Sequence, residues 1–581
     1  MSNLYTFREL RKGAELNIKA KEVKIAILGN CSTQFFSKAI CGFAKLEGIN
    51  ANVLDTDYNQ IDVQLLDNES ETFQFAPEYV VLWLATEKLY EDFLDSSLES
   101  RASFAENTMV KIEQYWNLVG KRTNAKILQL NFPEINDRVC GNFSGKIKTS
   151  FIFQLRKLNY LLEEKMENNV DVFLIDILTI QKELGQERFF DAAYYYNAKM
   201  AVSTDALPSI AKAVVDVLKA LFGKIKKCVV LDLDNTLWGG VIGDDGIEHI
   251  EIGEYGKGHV FSNIQRWFRE LREYGILLCV CSKNNEDIAK EPFESHPEMV
   301  LKLSDFSLFV ANWNDKVSNI KIIQETLNIG MDSIIFVDDN PFERNLVKKL
   351  LPEVDVPELP EDPSLYLECL WKSNYFENAS KLCGGQNRTQ LYQTEFTRRK
   401  SQAEFESFSD YLKNLQMVGS VRRFDKSQYP RIAQLTQRSN QFNLRTVRYA
   451  EDEIRKIAES DEYIPLYYTL NDKFGEYGLI AVVILKIIDE NELFIDTWLM
   501  SCRVLKRGME EFTINCMVRE AKKWGYKRII GEYIPTAKNS MVSKIYNTMG
   551  FREIGSNRFS LDVNKYEEKT TYISKNVEDV Q

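Results

Sequence analysis

The sequence predicts an α/β protein in three parts: two domains built on parallel sheets, then an α+β domain. Through the first two-thirds of the 581 residues, short apolar runs with polar or glycine ends alternate with amphipathic stretches. That alternation places buried strands in parallel sheets covered by helices on both faces. From residue 421 the apolar runs follow one another directly, with turn signals between them, as in an antiparallel meander. A composition of 44% hydrophobic and 27% charged residues supplies several cores, and about 150 residues per domain allows three or four.

In the first part, residues 1–222, VKIAILGN (23–30) is an apolar run closed by Gly-Asn, a buried strand and its turn. A helix is expected over 33–47. Further strands are expected at 51–60, 77–86, 125–132 and 170–177, with helices over 100–119 and 146–168 between them. A helix over 206–223 leads into the second part, residues 223–365. There CVVLDLD (228–234), ILLCVCSKN (276–284) and SIIFVDDN (333–340) each run apolar and end polar, with helices near 259–274, 285–293 and 315–328. Four prolines in LPEVDVPELPEDP (351–363) exclude a continuous helix at its close. Residues 366–420 read as a mixed, polar, helical linker. The third part, 421–575, holds strands at 466–472, 477–488, 492–501 and 527–534 and a helix over 509–525 that ends at Gly525.

Composition excludes several function classes. With 73 Lys and Arg against 85 Asp and Glu, the net charge of −12 argues against a nucleic-acid binder. No apolar run reaches the ~18 residues of a membrane span. The first residues, MSNLYTFRELRKGAEL, lack the apolar stretch of a signal peptide. Ten scattered cysteines without a CxxC point to reduced thiols and a cytoplasmic location. The only histidines are His249, His259 and His296. No Ser-His-Asp triad can therefore form within the first or third part.

The chemistry concentrates in the second part. Asp232-Leu233-Asp234-Asn235-Thr236 follows one apolar strand, Ser282 ends a second, and Asp338-Asp339 end a third. Two carboxylates two apart on a strand point the same way, and an open parallel sheet binds ligand at the carboxyl ends of its strands. Gathered acids repel and need a cation, and hard carboxylate oxygens suit Mg2+. Lys316 adds positive charge between the second and third strands, with Lys283 and Lys321 as nearby competitors. A nucleophilic carboxylate, a second acid, a hydroxyl and a metal-binding pair suit phosphoryl transfer through an aspartyl-phosphate.

These residues resemble the haloacid dehalogenase superfamily of phosphatases and phosphotransferases. The resemblance implies that Asp232 is the nucleophile and Asp234 the general acid/base, whose backbone carbonyl also touches Mg2+. It further implies that Ser282 and Lys316 are the phosphate-binding hydroxyl and lysine, and that Asp338 and Asp339 hold the metal with Asp232 and Asp234. The flanks LDLDNTLWGG (231–240), CSKNN (281–285), Asn312-Trp313 and FVDDNPFER (336–344) resemble the FkbH-like branch. That branch implies transfer of a glyceryl unit from 1,3-bisphosphoglycerate to the thiol of an acyl carrier protein, with Thr236 and Asn284 as substrate contacts. Cys281 raises the question of a thioester on this chain, but alternation turns it away from Ser282 and packs it in the strand, as it does Cys279.

The outer parts carry further resemblances. Residues 1–222 resemble the flavodoxin-like fold of SGNH hydrolases, whose Gly-Asp-Ser falls on Gly29-Asn30-Cys31-Ser32 and whose late Asp-x-x-His falls on Asp191–Tyr194. Both motifs are broken, and a nucleophile without a general base is poor at neutral pH. The expectation is a scaffold or docking module. Residues 421–555 resemble GNAT-type N-acetyltransferases, through the strand 492–501, the turn Cys502–Gly508, its helix, and Asn539 to Phe551. That fold holds a pyrophosphate at a helix N-terminus, which makes Arg503, Lys506, Arg507 and Gly508 candidates for a coenzyme A or phosphopantetheine arm. A single Gly508, followed by Met509 and Glu510, departs from the family's glycine-rich turn and suits one phosphate better than two. The expected whole is a Mg2+-dependent phosphatase or phosphotransferase with a carrier-binding third part. Its rival is a coenzyme A-dependent acyltransferase with an accessory phosphatase.

Overall fold

A computed structural model describes residues 5–379, 393–394, 398, 405, 407–439, 441–536 and 538–576. The chain divides into two compact units, Asn3–Ala220 and Leu221–Gln581. The second unit holds both the expected phosphotransfer part and the expected third part.

The first unit is built on β1 (Glu22–Gly29), β2 (Asn50–Asp55), β3 (Tyr79–Trp83), β4 (Lys126–Leu130) and β5 (Val172–Ile175). They form one parallel sheet in the order β2-β1-β3-β4-β5, a common doubly wound arrangement. Ile25 to Leu28 of β1 are fully buried because helices cover both faces. The helix Gln34–Leu46 turns Phe36, Ala39, Ile40 and Phe43 inward at three- and four-residue spacing. Gly42 lets that helix meet the helix Phe7–Gly13, since a Cβ there would lie 1.9 Å from the Leu10 carbonyl oxygen.

In the second unit, β6 (Cys228–Leu231), β7 (Leu277–Ser282), β8 (Phe306–Ala311) and β9 (Ile334–Val337) form a parallel sheet in the order β8-β7-β6-β9. β6 thus lies between β7 and β9, and the carboxyl ends of all three open on one edge. β8 is an addition to the strands expected from sequence. One face packs against the helices Gly256–Glu273 and Glu286–Ser295 through Phe261, Ile264, Phe268 and Phe293. The other packs against the helix Lys316–Leu327 through Val317, Ile320 and Ile323. β6 ends at Leu231, three residues short of the strand read from sequence. Asp232 to Asp234 therefore lie in a loop, where Asn235 takes a left-handed φ of 54° that Asn tolerates better than most residues.

The same unit continues into a nine-stranded sheet, largely antiparallel. It contains β10 (Val418–Arg423), β11 (Phe442–Asn443), β12 (Tyr463–Asp472), β13 (Gly475–Ile487) and β14 (Glu492–Met500), then β15 (Arg528–Glu532), β16 (Arg552–Gly555), β17 (Arg558–Asp562) and β18 (Ser574–Lys575). The expected meander is β12-β13-β14. β14 and β15 pair in parallel over only three residues, Glu492–Phe494 with Arg528–Ile530. Beyond that pairing, β11 bonds the end of β14, and the Ile534 N–H donates to the Leu444 carbonyl at 2.8 Å. Much of the 366–420 linker lies outside the described residues; within it are the helices Tyr366–Ser373 and Phe408–Asn414. Among the described residues no helix is long and apolar enough to cross a membrane.

Candidate active site

The site forms at the carboxyl edge of the β6–β9 sheet. Asp232 is the first residue past β6, its N–H bonded to the Val337 carbonyl at 2.9 Å. Asp338 is the first residue past β9, and Ser282, 2% exposed, is the last of β7. Lys316 opens the helix Lys316–Leu327, whose first turn is capped by Asp315. Its Nζ reaches Asp232 Oδ2 at 2.9 Å and Asp338 Oδ2 at 2.5 Å. Of the other two lysines near the motif, Lys283 pairs with Glu343 instead, and Lys321 is exposed one turn further along.

Asp232, Asp338 and Asp339 offer carboxylate oxygens within 4.8 Å of one another. Among the described residues Lys316 is the one ammonium paired with two of these three carboxylates, so negative charge there is in excess. Burial first, then Asp232, pushes the Asp338 carboxyl up to about 7 against the opposing pull of Lys316. Burial followed by Asp232 likewise raises Asp339. For Lys316 burial pulls the ammonium down, but the fields of Asp232 and Asp338 outweigh it, and the net shift is upward. An excess of buried carboxylate oxygen with one ammonium is the donor set of a hard divalent cation.

Asp234 lies outside that carboxylate cluster. Its Oδ1 accepts from Trp238 Nε1 and from the Ile242 N–H, each at 3.0 Å, which fixes the carboxyl on the side opposite the Lys316 helix. Burial raises its pKa above the ordinary range. The sequence reading expected Asp232 and Asp234 side by side through strand alternation; the loop separates their directions and gives them different environments.

Thr236 is buried and bonds Asp339. Its Oγ1 accepts from the Asp339 N–H at 3.1 Å and lies 3.4 Å from Asp339 Oδ1, so it positions Asp339. Asn284 is 5% exposed, and its Oδ1 takes the Asn285 N–H at 2.8 Å, at the start of the loop after β7. Two residues with no assigned role stand out. Arg344, 5% exposed, donates through one terminal nitrogen to the Asp338 carbonyl at 2.9 Å and the Asp339 carbonyl at 2.5 Å. It clamps the backbone that carries both acids. Glu343, buried beside it, holds Lys283 at 2.6 Å. Both stand in FVDDNPFER, but an arginine bonded to backbone leaves no spacing signal.

Cys279 and Cys281 are fully buried, and burial raises both thiols well above their ordinary range. They pack, as alternation requires. In the first unit Cys31 is buried, with its thiol raised by burial and then by Glu87 and Asp55. Ser32 Oγ donates to Gln34 Oε1 at 2.6 Å, and Asp191 caps its own helix by accepting from Ala193 and Tyr194. These groups serve local turns.

The turn before the helix Met509–Lys523 is likewise turned upon itself. The Lys506 N–H donates to Glu510 Oε1 at 3.1 Å. Arg507, 8% exposed, lies over the Tyr477 ring and bonds its hydroxyl. Arg503, 7% exposed, bonds Ser501 Oγ at 3.3 Å. Thr571 Oγ1 donates to the Gly508 carbonyl at 2.7 Å. The four candidates lie in one turn, as the sequence suggested, but both guanidinium groups are buried there and one backbone donor is already used.

Comparison with known proteins adds family evidence. A family model described as "FkbH, N-terminal domain" matches residues 24–219. This match falls in the first unit, not on the motifs that carried the FkbH-like resemblance. A solved structure from Bacteroides fragilis, the N-terminal part of the protein BF1531 containing a phosphatase domain complexed with Mg, is 42% identical. It covers 65% of this chain and 100% of its own, with a TM-score of 0.63. The ribosomal-protein-S18-alanine N-acetyltransferase of Escherichia coli is 13% identical over 26% of this chain and 99% of its own, with a TM-score of 0.21. The spermidine N-acetyltransferase of Vibrio cholerae, in complex with CoA and spermine, is 14% identical over 26% and 97%, again at 0.21. Likenesses that small carry no weight for the third part. No curated protein matches the sequence.

Proposed function

We propose that this chain, which belongs to the family of FkbH-like proteins with a phosphatase domain, is a Mg2+-dependent phosphatase or phosphotransferase of the haloacid dehalogenase type with Asp232 as nucleophile. The observation that carries this reading is Lys316 bridging Asp232 and Asp338 inside a cluster of three carboxylates. Asp232, Asp338 and Asp339 would hold Mg2+, which supplies positive charge against the transferring phosphoryl group.

Asp232 attacks phosphorus, the bond from phosphorus to the leaving oxygen breaks, and an aspartyl-phosphate forms on its carboxylate. Asp234, whose carboxyl burial raises above its ordinary range, gives a proton to the leaving oxygen. It then takes a proton from the water that splits the aspartyl-phosphate. Ser282 donates to the equatorial oxygens, and Lys316 neutralises charge that builds on them. Arg344 keeps Asp338 and Asp339 in place by holding their carbonyls.

The finer reading is transfer of a glyceryl or related acyl unit from an acyl phosphate, such as 1,3-bisphosphoglycerate, to a carrier-protein thiol. In the balanced sequence the carrier thiol attacks the acyl carbon, the acyl phosphate leaves as inorganic phosphate and the thiol proton passes to solvent; Asp232 then takes the phosphoryl group from the 3-oxygen, and its hydrolysis releases a second phosphate and leaves the glyceryl thioester. The family resemblance supports it. The rival, a coenzyme A-dependent acyltransferase in the third part, is weakened by the turn at 502–510, where Glu510 takes the Lys506 amide and both arginines are buried. The test incubates the full chain and Mg2+ with 1,3-bisphosphoglycerate and holo- or apo-carrier protein, and reads phosphate release and intact carrier mass. The expected result is phosphate release with a glyceryl adduct on holo-carrier alone. Phosphate release with no adduct leaves a phosphatase and removes the transfer. An adduct formed equally by Asp232→Asn places the chemistry elsewhere.

A further inference from the structure

The Lys283–Glu343 pair has no part in the chemistry above. Lys283 follows Ser282 at the mouth of the site, with a side chain 37% exposed, and its Nζ lies 2.6 Å from Glu343 Oε1. Glu343 stands in the first turn of the helix Pro341–Leu350 with a side chain only 7% exposed. Its other oxygen, Oε2, is buried without a hydrogen-bond partner.

A fifth carboxylate is costly here. Asp232, Asp234, Asp338 and Asp339 already crowd this edge, and residues 223–365 carry 26 Asp and Glu against 15 Lys and Arg. A buried ion pair is often no more stable than an apolar pair of the same volume, and this one leaves an acceptor unmet. What the carboxylate does achieve is to fix a lysine that would otherwise sample many rotamers. The ammonium has three donors and Glu343 Oε1 takes one. With the Lys283 side chain 37% exposed, its remaining donors are open to a ligand. The pair also sits close to the phosphoryl seat. Asp315, which caps the Lys316 helix, is held low first by its hydrogen bonds from Ser318 and in part by Lys283. The Cys281 thiol, one residue before Ser282, is raised first by burial, with Glu343 among the contributing anions.

We propose that Lys283, held in place by Glu343, binds a second anionic group of the substrate, a carboxylate or phosphate separate from the transferred phosphoryl group. Lys283 is then the specificity-determining residue and Glu343 its positioning residue. The inference rests on the phosphotransfer reading for the place of the substrate and adds the residues that would bind its second anion.

The test is calorimetry of the full chain with saturating Mg2+ against three ligands. Glycerol 3-phosphate has no second anionic group, 3-phosphoglycerate adds a carboxylate, and glycerol 1,3-bisphosphate adds a phosphate. The wild type should prefer at least one doubly anionic ligand over glycerol 3-phosphate by about tenfold or more, and which one identifies the anion. Lys283→Met and Glu343→Gln should each bring that ratio to within about twofold, with the double variant losing no more than either single one. Lys283→Arg should retain most of it. Glu343→Gln keeps volume and removes a buried charge, so it carries the test if Lys283→Met does not fold. No preference in the wild type, or an undiminished preference in Glu343→Gln and in any folded Lys283→Met, overturns the proposal. Failure of the phosphotransfer reading would show separately, as absence of Mg2+-dependent phosphate release by the wild type.

Discussion

Replacing Lys316 by Met removes the ammonium that bridges Asp232 and Asp338 and keeps most of its stem. The Lys316 side chain is 4% exposed, Asp232 11% and Asp338 0%, so the discount for solvent-exposed ion pairs does not apply. Breaking a buried pair by removing one partner costs about 3–5 kcal/mol. For a unit of this size about 2 °C of melting temperature per kcal/mol is expected, a fall of roughly 6–10 °C in chelator. Mg2+ would then face an uncompensated cluster and bind more tightly. At a concentration about 100 times its Kd it restores about 2.7 kcal/mol, so the Mg2+-induced rise in melting temperature should be larger in the variant than in the wild type. Turnover should still fall by about a hundredfold or more, because the charge opposite the transferring oxygens is gone. Differential scanning calorimetry with and without Mg2+ measures both shifts. A variant that melts with the wild type in chelator, or gains no more from Mg2+, refutes the placement of Lys316 in the cluster.

Four further outcomes follow. Asp338, raised to about 7, binds its proton more tightly when folded than unfolded. Its stabilising contribution is full below the ordinary carboxylate pKa and is lost as pH rises toward 7, so the metal-free protein should lose stability across that window. Mg2+ must displace the same proton, so its affinity by calorimetry should weaken below pH 7, by up to about tenfold per pH unit. Arg344→Ala should cost about 1–3 kcal/mol for each carbonyl left unpaired and weaken Mg2+ binding about 10–100-fold; unchanged Mg2+ affinity would remove the clamp from the account. The full chain should not cleave activated acetyl or butyryl esters above background, since Cys31 is a buried, protonated thiol and Ser32 has no imidazole; cleavage abolished by Ser32→Ala would reverse that assignment.

Much of the site was readable because phosphoryl chemistry needs charged residues at strand ends, and apolar runs mark where strands end. Asp232, Lys316, Asp338 and Asp339 lie together, and Ser282 ends the neighbouring strand β7. Directions were less readable than identities. Asp232 and Asp234 diverge because β6 stops at Leu231 and Asn235 takes a left-handed turn, and neither fact follows from alternation. The strand Phe306–Ala311 went unread because it is a short edge strand with Ser307 inside it and two half-buried positions. Arg344 acts on backbone carbonyls brought near by the fold, so its own sequence neighbourhood carries no trace of the role. At the other end of the chain, Glu510 was legible as a poor neighbour for an anion. Its bond to the Lys506 N–H depends on Lys506 at a φ of 63°, a left-handed residue that no propensity announces.

In the proposed reaction Asp232 carries the phosphoryl group. Acid-quenching the full chain after mixing with phosphate-labelled acetyl phosphate and Mg2+, then mapping the labelled peptide, tests it most directly. The label should sit on the peptide containing Asp232, be released by hydroxylamine, accumulate in Asp234→Asn and be absent from Asp232→Asn. Label on any other residue, or wild-type turnover by Asp232→Asn, would contradict the account.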